Sequence, residues 1–210
     1  MTSGKTSKRR ARERVARMRA EQRRRERRRN ILFGATIAVA ALAMLGGVGL
    51  SLVFRGGAAG IPGVQSFSRL ARTHVARAVS YPQRPPVGGP HSPVWLNCGI
   101  YTTPVASGSA VHSLEHGAVW VTYRPDQPTT ADSQLRALVR EESPRKRHYV
   151  ILSPYPGLPT SVVASAWGRQ LRLASASDPR LPRFITTYAQ GPQTPEPGAA
   201  CSGGTGTPMP

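Results

Sequence analysis

The hydrophobic pattern separates one long apolar run from a series of short periodic segments. Residues 31–54 contain no charged side chain and read ILFGATIAVAALAMLGGVGLSLVF. As a helix, this run would be about 36 Å long, which is enough to cross the hydrocarbon core of a membrane with some tilt. The pattern therefore predicts one transmembrane helix over 31–54.

After this run the apolar positions predict a small α+β domain with short antiparallel strands and two to three helices. The strand segments are β-rich and bounded by glycine or proline, whereas Leu135, Leu138 and Val139 show the 3-4 spacing of a helix. The predicted strands are 118–123, 149–153, 162–167 and 170–174, the last two flanking a turn at Gly168-Arg169, and the predicted helices are 110–116, 131–142 and 182–189.

Composition sets the predicted limits of this domain. All 20 prolines lie at or after Pro62, so the character of the chain changes soon after the apolar run. We expect 55–65 to be a linker and 66–201 to be the folded extracytoplasmic domain, which is long enough for one core. The last segment, 202–210, has no apolar period and is expected to be a disordered tail.

Charge predicts the orientation of the chain. Residues 1–30 carry 14 Lys/Arg against three Glu, and so hold 11 of the 19 net positive charges. Basic residues before a membrane helix stay in the cytoplasm, which predicts a single-pass protein of the cell membrane with its C-terminal domain outside. The basic segment would contact anionic lipid headgroups, and no nucleic-acid partner is expected. A cleaved signal peptide, with its site within 56–60, is the alternative, although such peptides have apolar cores of only about 7–15 residues.

The two cysteines lie near the two ends of the predicted domain. In an oxidising compartment Cys98 and Cys201 are expected to form one disulfide, closing a loop of about 100 residues. Since Cys98 lies between His91 and His112 in the sequence, a metal-bound thiolate is the competing interpretation.

The motif most suggestive of chemistry is Val-His-Ser-Leu-Glu-His-Gly at 111–117. On a helix, His112 and His116 share a face with their Cβ atoms about 5–6 Å apart, close enough for both rings to reach one ion. On a strand about 13 Å would separate them. Ser109 is expected to cap the helix and Gly117 to end it in a left-handed conformation.

Other histidines add to this motif. Residues 81–93 contain five prolines and two glycines, which predicts an irregular loop that presents His91. Imidazole ligands favour Zn²⁺ or Cu²⁺ in an extracytoplasmic domain. The sequence therefore predicts a copper or zinc site formed by His91, His112, His116 and Glu115, with His74 as a further candidate.

Two other functions stay open. In the first, the domain is a cell-envelope interaction module, and the His/Glu cluster is structural, with Glu115 bonded to an arginine or a backbone amide. In the second, His112-x-x-Glu115-His116 matches the H-x-x-E-H pattern of inverted zinc metalloproteases, in which the glutamate is the base. Gly117 would end that helix at once and acidic residues downstream are sparse, so the residues favour a protein that is not an enzyme and indicate no catalytic residue.

An ordered set of motifs resembles one known family. These motifs are Tyr81…Pro85-Pro86-x-Gly88-x-Pro90-His91, Cys98-Gly99-x-Tyr101, His112-Ser113-Leu114-Glu115-His116-Gly117, Ser153-Pro154-Tyr155, Ala166-Trp167-Gly168 and Pro195-Glu196-Pro197-Gly198. Over about 74–201 the chain resembles domain of unknown function 3105. The resemblance implies one membrane helix before the domain and often an actinobacterial source, and it implies no activity.

Overall fold

The computed structural model describes residues 60–145 and 148–210. The predicted transmembrane helix and the basic segment before it lie outside these residues. Within the described ranges, no helix is long and apolar enough to cross a membrane.

In the described part of the chain, six strands and three helices form the domain, which confirms a mixed α+β fold. In chain order the elements are β1 (Gln65–Ser66), β2 (Gly99–Ile100), α1 (Ser107–Glu115), β3 (Val119–Tyr123), α2 (Thr129–Arg145), β4 (Val150–Pro154), β5 (Val162–Ala166), β6 (Arg169–Leu173) and α3 (Arg180–Tyr188). The strands make one sheet in the order β1-β6-β5-β3-β4-β2.

The sheet is mixed, with two parallel and three antiparallel strand pairings, which corrects the expectation of antiparallel strands alone. β4 pairs in parallel with both β3 and β2, whereas β5 and β6 form an antiparallel hairpin beside β3. The physical reason is the connections: α1 links β2 to β3 and α2 links β3 to β4. Parallel strands need such crossovers, because a tight turn can join only antiparallel neighbours.

The centre of the sheet is buried on both faces. Every residue of β3, β4 and β5 is buried. These strands therefore lack the alternation of buried and exposed residues that is typical of a sheet with one face in solvent. Trp120 of β3 is among the largest fully buried side chains, and its indole Nε1 donates to Ser153 Oγ at 3.0 Å. The hairpin turn is Trp167-Gly168, one residue earlier than expected, because Arg169 already pairs with Ala166.

Helix α1 begins earlier than predicted. It starts at Ser107, and its N-cap residue Ala106 makes no side-chain capping bond. Ser109 is therefore inside the helix, where its carbonyl accepts from Leu96 N–H at 3.0 Å. The predicted end is confirmed, since Gly117 follows the last turn with φ of 97°.

The C-terminal segment is bound to the domain instead of being disordered. Cys98 and Cys201 form the predicted disulfide, which brings 202–210 alongside β2. Asn97 N–H donates to Thr205 O at 2.8 Å, and Met209 N–H donates to Ile100 O at 2.8 Å. The sequence showed no apolar period there because backbone bonding to an edge strand needs none.

Candidate metal centre

The last turn of α1 supplies two side chains of the centre. His112 and Glu115 are three residues apart and so project from the same side of the helix. They are only 4% and 1% exposed. A carboxylate buried to this extent must be compensated by nearby positive charge or by a cation.

Two more histidines come from the irregular segment before β2. His91 N–H donates to Thr73 O at 3.0 Å, and Val75 N–H donates to His91 O at 2.7 Å, which forms a short parallel bridge between His74 and His91. His91 is fully buried, whereas the side chain of His74 is 48% exposed. The bridge places one buried and one accessible imidazole side by side.

Two glycines determine the backbone conformation of the loop 81–93, which carries His91. Gly88 and Gly89 have φ of 145° and 110°, and a Cβ on Gly88 would lie 2.7 Å from Leu70 Cδ1. Beyond them, Tyr81 OH donates to Pro90 O at 2.7 Å. The predicted irregular loop is confirmed, and it holds the backbone of His91 against the rest of the domain.

These four residues bring their ligand atoms together. One nitrogen or oxygen from each of His74, His91, His112 and Glu115 lies within 4.8 Å of all the others. Glu115 Oε2 is 2.9 Å from His91 Nε2 and 3.8 Å from His74 Nε2. Two ligands of one Zn²⁺ at about 2.0–2.2 Å are themselves about 3–4 Å apart. Small adjustments, above all of the accessible His74 side chain, would therefore let one ion contact all four.

The hydrogen bonds of the imidazoles set their tautomers. The Nδ1 atom of His91 lies 2.7 Å from Gly89 O, and that of His112 lies 2.7 Å from Ser92 O. Because a carbonyl can only accept, Nδ1 carries the hydrogen in each ring and Nε2 of the neutral ring keeps its lone pair. Metal-binding histidines characteristically donate their other N–H in this way.

Two buried atoms of the centre have no hydrogen-bond partner among the residues that the structure describes. They are His91 Nε2 and Glu115 Oε2, although they face each other at 2.9 Å. In the neutral ring both atoms are acceptors, so no hydrogen bond joins them, and unpaired buried polar atoms are rare in proteins. Arg72 Nε is 3.8 Å from the other carboxylate oxygen, which is too far for a hydrogen bond. A cation between the two atoms would satisfy both.

The electrostatic environment keeps His112 neutral at ordinary pH. Burial lowers the pKa of His112 to about 4; the carbonyl of Ser92 opposes the shift, and the neighbouring His116, His91 and His74 add to it. A neutral imidazole is the form that binds a metal ion.

His116, predicted as a ligand of the same ion, lies beside the cluster. It is the C-cap residue of α1, and its Nδ1 donates to Ala200 O at 2.6 Å. Its Nε2 lies 3.7 Å from Glu196 Oε2. The structure thus brings together His91, His112 and Glu115 of the predicted ligands and places His74 where His116 was expected. His74 has no motif around it, so spacing alone did not rank it above His116.

Comparison with known proteins establishes the family. The chain matches the family described as Protein of unknown function (DUF3105) over residues 74–203, more than half of its length, and it belongs to that family. The matched region contains all four clustered residues and both cysteines. No curated protein and no solved structure matches the chain.

Proposed function

We propose that this domain binds one divalent transition-metal ion, Zn²⁺ or Cu²⁺, through His74, His91, His112 and Glu115. The observation that carries the proposal is the facing pair of buried acceptors, His91 Nε2 and Glu115 Oε2, which have no hydrogen-bond partner within 60–145 and 148–210. The backbone carbonyls bonded to His91 and His112 support it, because they fix the hydrogen on Nδ1 of each neutral ring and leave the Nε2 lone pair for an ion.

The ligand chemistry limits the choice of metal. Three imidazoles and one carboxylate suit Zn²⁺ or Cu²⁺, whereas Mg²⁺ and Ca²⁺ prefer oxygen ligands. Both cysteines are in the disulfide, so neither supplies the thiolate that would select Cu⁺.

We also propose that the domain lies outside the cytoplasm behind the membrane helix 31–54. The uncharged run and the basic residues before it support this placement. A disulfide between the ends of the domain is in keeping with an oxidising compartment.

A metal titration of the full chain in detergent tests the binding proposal. Zn²⁺ or Cu²⁺ should raise the melting temperature, because a ligand at about a hundredfold excess over its dissociation constant stabilises the fold by about 2.7 kcal/mol. His91→Ala should abolish the rise. His148→Asn removes an exposed histidine outside the cluster and should keep it; asparagine suits the left-handed φ of 64° there. If neither Zn²⁺ nor Cu²⁺ changes the melting temperature of the wild-type protein, the proposal is refuted.

One observation favours a second function. If the His91 ring is doubly protonated, its 2.9 Å contact with Glu115 is a buried ion pair, and the cluster is structural. The domain would then be a cell-envelope interaction module, which is the first of the two alternatives that the sequence leaves open. The protease alternative gains no support, because Glu115 lies among the ligand atoms and not in the position of a separate base.

A further inference from the structure

His116 and Glu196 form a second pair of ligand atoms next to the centre. His116 donates its Nδ1 hydrogen to Ala200 O, so Nε2 of the neutral ring keeps its lone pair. This Nε2 lies 3.7 Å from Glu196 Oε2. One ion bound to a nitrogen and an oxygen at about 2.0–2.2 Å would hold them about 3.0–3.5 Å apart, so a small closure suffices.

Glu196 is the residue of this pair that is exposed to solvent. The side chain of Glu196 is 48% exposed, whereas that of His116 is 6% exposed. The backbone ties this glutamate to the centre, because Glu196 N–H donates to Glu115 O at 3.1 Å. An ion held here would therefore contact water on one side and the buried cluster on the other.

His112 connects the pair to the centre. Its ring centroid is 4.6 Å from that of His116, 4.9 Å from that of His91 and 4.7 Å from that of His74. The ring of Trp95 lies against both His112 and His116, with centroids 5.8 and 5.2 Å away. The imidazoles thus form a continuous row from the half-exposed glutamate to the buried acceptor pair.

We propose that His116 and Glu196 are a capture site that takes up a hydrated Cu²⁺ or Zn²⁺ ion and delivers it to the buried centre. This inference rests on the proposed metal binding. The ion exchanges two waters for His116 Nε2 and Glu196 Oε2. It then gives up these two ligands and further waters for His112 Nε2 and the other three ligands of the buried cluster. No electron or proton transfer is needed. Two protein ligands hold an ion more weakly than four, so the captured ion is free to move on.

Rapid mixing of the full chain in detergent with Cu²⁺ alone tests the proposal, with quenching of tryptophan fluorescence as the signal. Trp167 reports on the buried centre, since its ring centroid lies 5.9 Å from that of His91. Trp95 senses both sites, because its ring centroid lies 5.2 Å from that of His116 and 5.8 Å from that of His112. Glu196→Gln should lower the association rate constant about tenfold, the lower end of electrostatic effects on association, with the equilibrium dissociation constant unchanged. His116→Gln should also lower the association rate constant, because it removes the nitrogen ligand of the captured ion, and it should leave the equilibrium dissociation constant unchanged.

Asp126→Asn is the matched control, because it removes an exposed carboxylate that pairs with Arg124 and lies outside the cluster. This variant should associate at the wild-type rate. An unchanged rate for Glu196→Gln overturns the capture site, and so does a loss of equilibrium affinity, which would make Glu196 a ligand of the centre itself. Failure of the proposed function looks different, because the wild-type protein would then show no equilibrium binding at all.

Discussion

Glu115 is the residue on which the two interpretations of the cluster differ most clearly. As a metal ligand, Glu115 has the guanidinium of Arg72, with Nε 3.8 Å from Oε1, as a neighbouring positive charge until the ion binds. As half of a buried ion pair, it stabilises the fold in the absence of metal. Removing one partner of a buried ion pair typically costs about 3–5 kcal/mol.

Glu115→Gln separates these cases. The variant keeps the shape and gains an amide that can donate to His91 Nε2, which lies 2.9 Å from the carboxylate oxygen. With a chelator present, we expect the free energy of unfolding in urea to stay the same or to rise by about 1 kcal/mol. The metal-induced rise in melting temperature should be lost. A stability loss of several kcal/mol in the chelator would instead establish the structural ion pair.

His112 predicts a pH dependence of the metal-free protein. The pKa of this ring falls from 6.5 to about 4 on folding. Between these values the unfolded chain binds a proton that the folded chain rejects, so the free energy of unfolding decreases as the pH falls from 6.5 towards 4. The slope reaches about 1.4 kcal/mol per pH unit for one such group.

Urea unfolding at a series of pH values in a chelator measures this effect. His112→Gln has no titrating ring and should show a correspondingly shallower decrease over the same interval. A stability that is flat from pH 7 to pH 4.5, or equally steep in both proteins, would contradict the assignment.

At the scale of elements, the site depends on how α1 ends. Gly117 turns the chain from α1 into β3, with φ of 97°, and a Cβ there would lie 2.4 Å from Gln190 Nε2 and 2.8 Å from Thr194 Cγ2. The Gln190 side chain also donates to the carbonyl of His116. The end of the helix is therefore packed against the segment that carries Glu196.

Gly117→Ala should be costly for this reason. The left-handed φ alone costs about 1 kcal/mol for a residue with a Cβ, and the collision adds to it. Gly157→Ala is the control, because Gly157 has φ of 73° with no atom within 4 Å of the added Cβ. Urea unfolding should show a clearly larger loss for Gly117→Ala than for Gly157→Ala, and equal losses would show that the packing around Gly117 relaxes freely.

At the scale of the whole molecule, we predict the orientation of the chain in the membrane. In the proposed topology, the difference in charge between the two sides of 31–54 would keep 1–30 in the cytoplasm. A reporter that is active only outside the cytoplasm should therefore work when fused after Pro210. A reporter active only inside should be silent at the same position, and activity of that second reporter would reverse the orientation.

Local patterns of residues were sufficient for most of the elements. Strands β3 and β4, the helix α2 between them, the β5–β6 hairpin and the end of α1 at Gly117 were predicted to within a few residues. These features follow from periodicity and backbone preferences over a few neighbouring positions. The disulfide was also predictable, because two cysteines in one domain allow a single intramolecular pairing.

The assembly of the candidate site was decided only by the tertiary structure. His112 and Glu115 lie on one helix and could be paired from their spacing, but His74 reaches them through a backbone bridge to His91. His116 has the right spacing on a helix, yet the carbonyl of Ala200, 84 residues later, turns its free nitrogen towards Glu196. Spacing determines which side chains can share a face, whereas partners distant in sequence determine where each nitrogen points, and therefore which residues can share one ion.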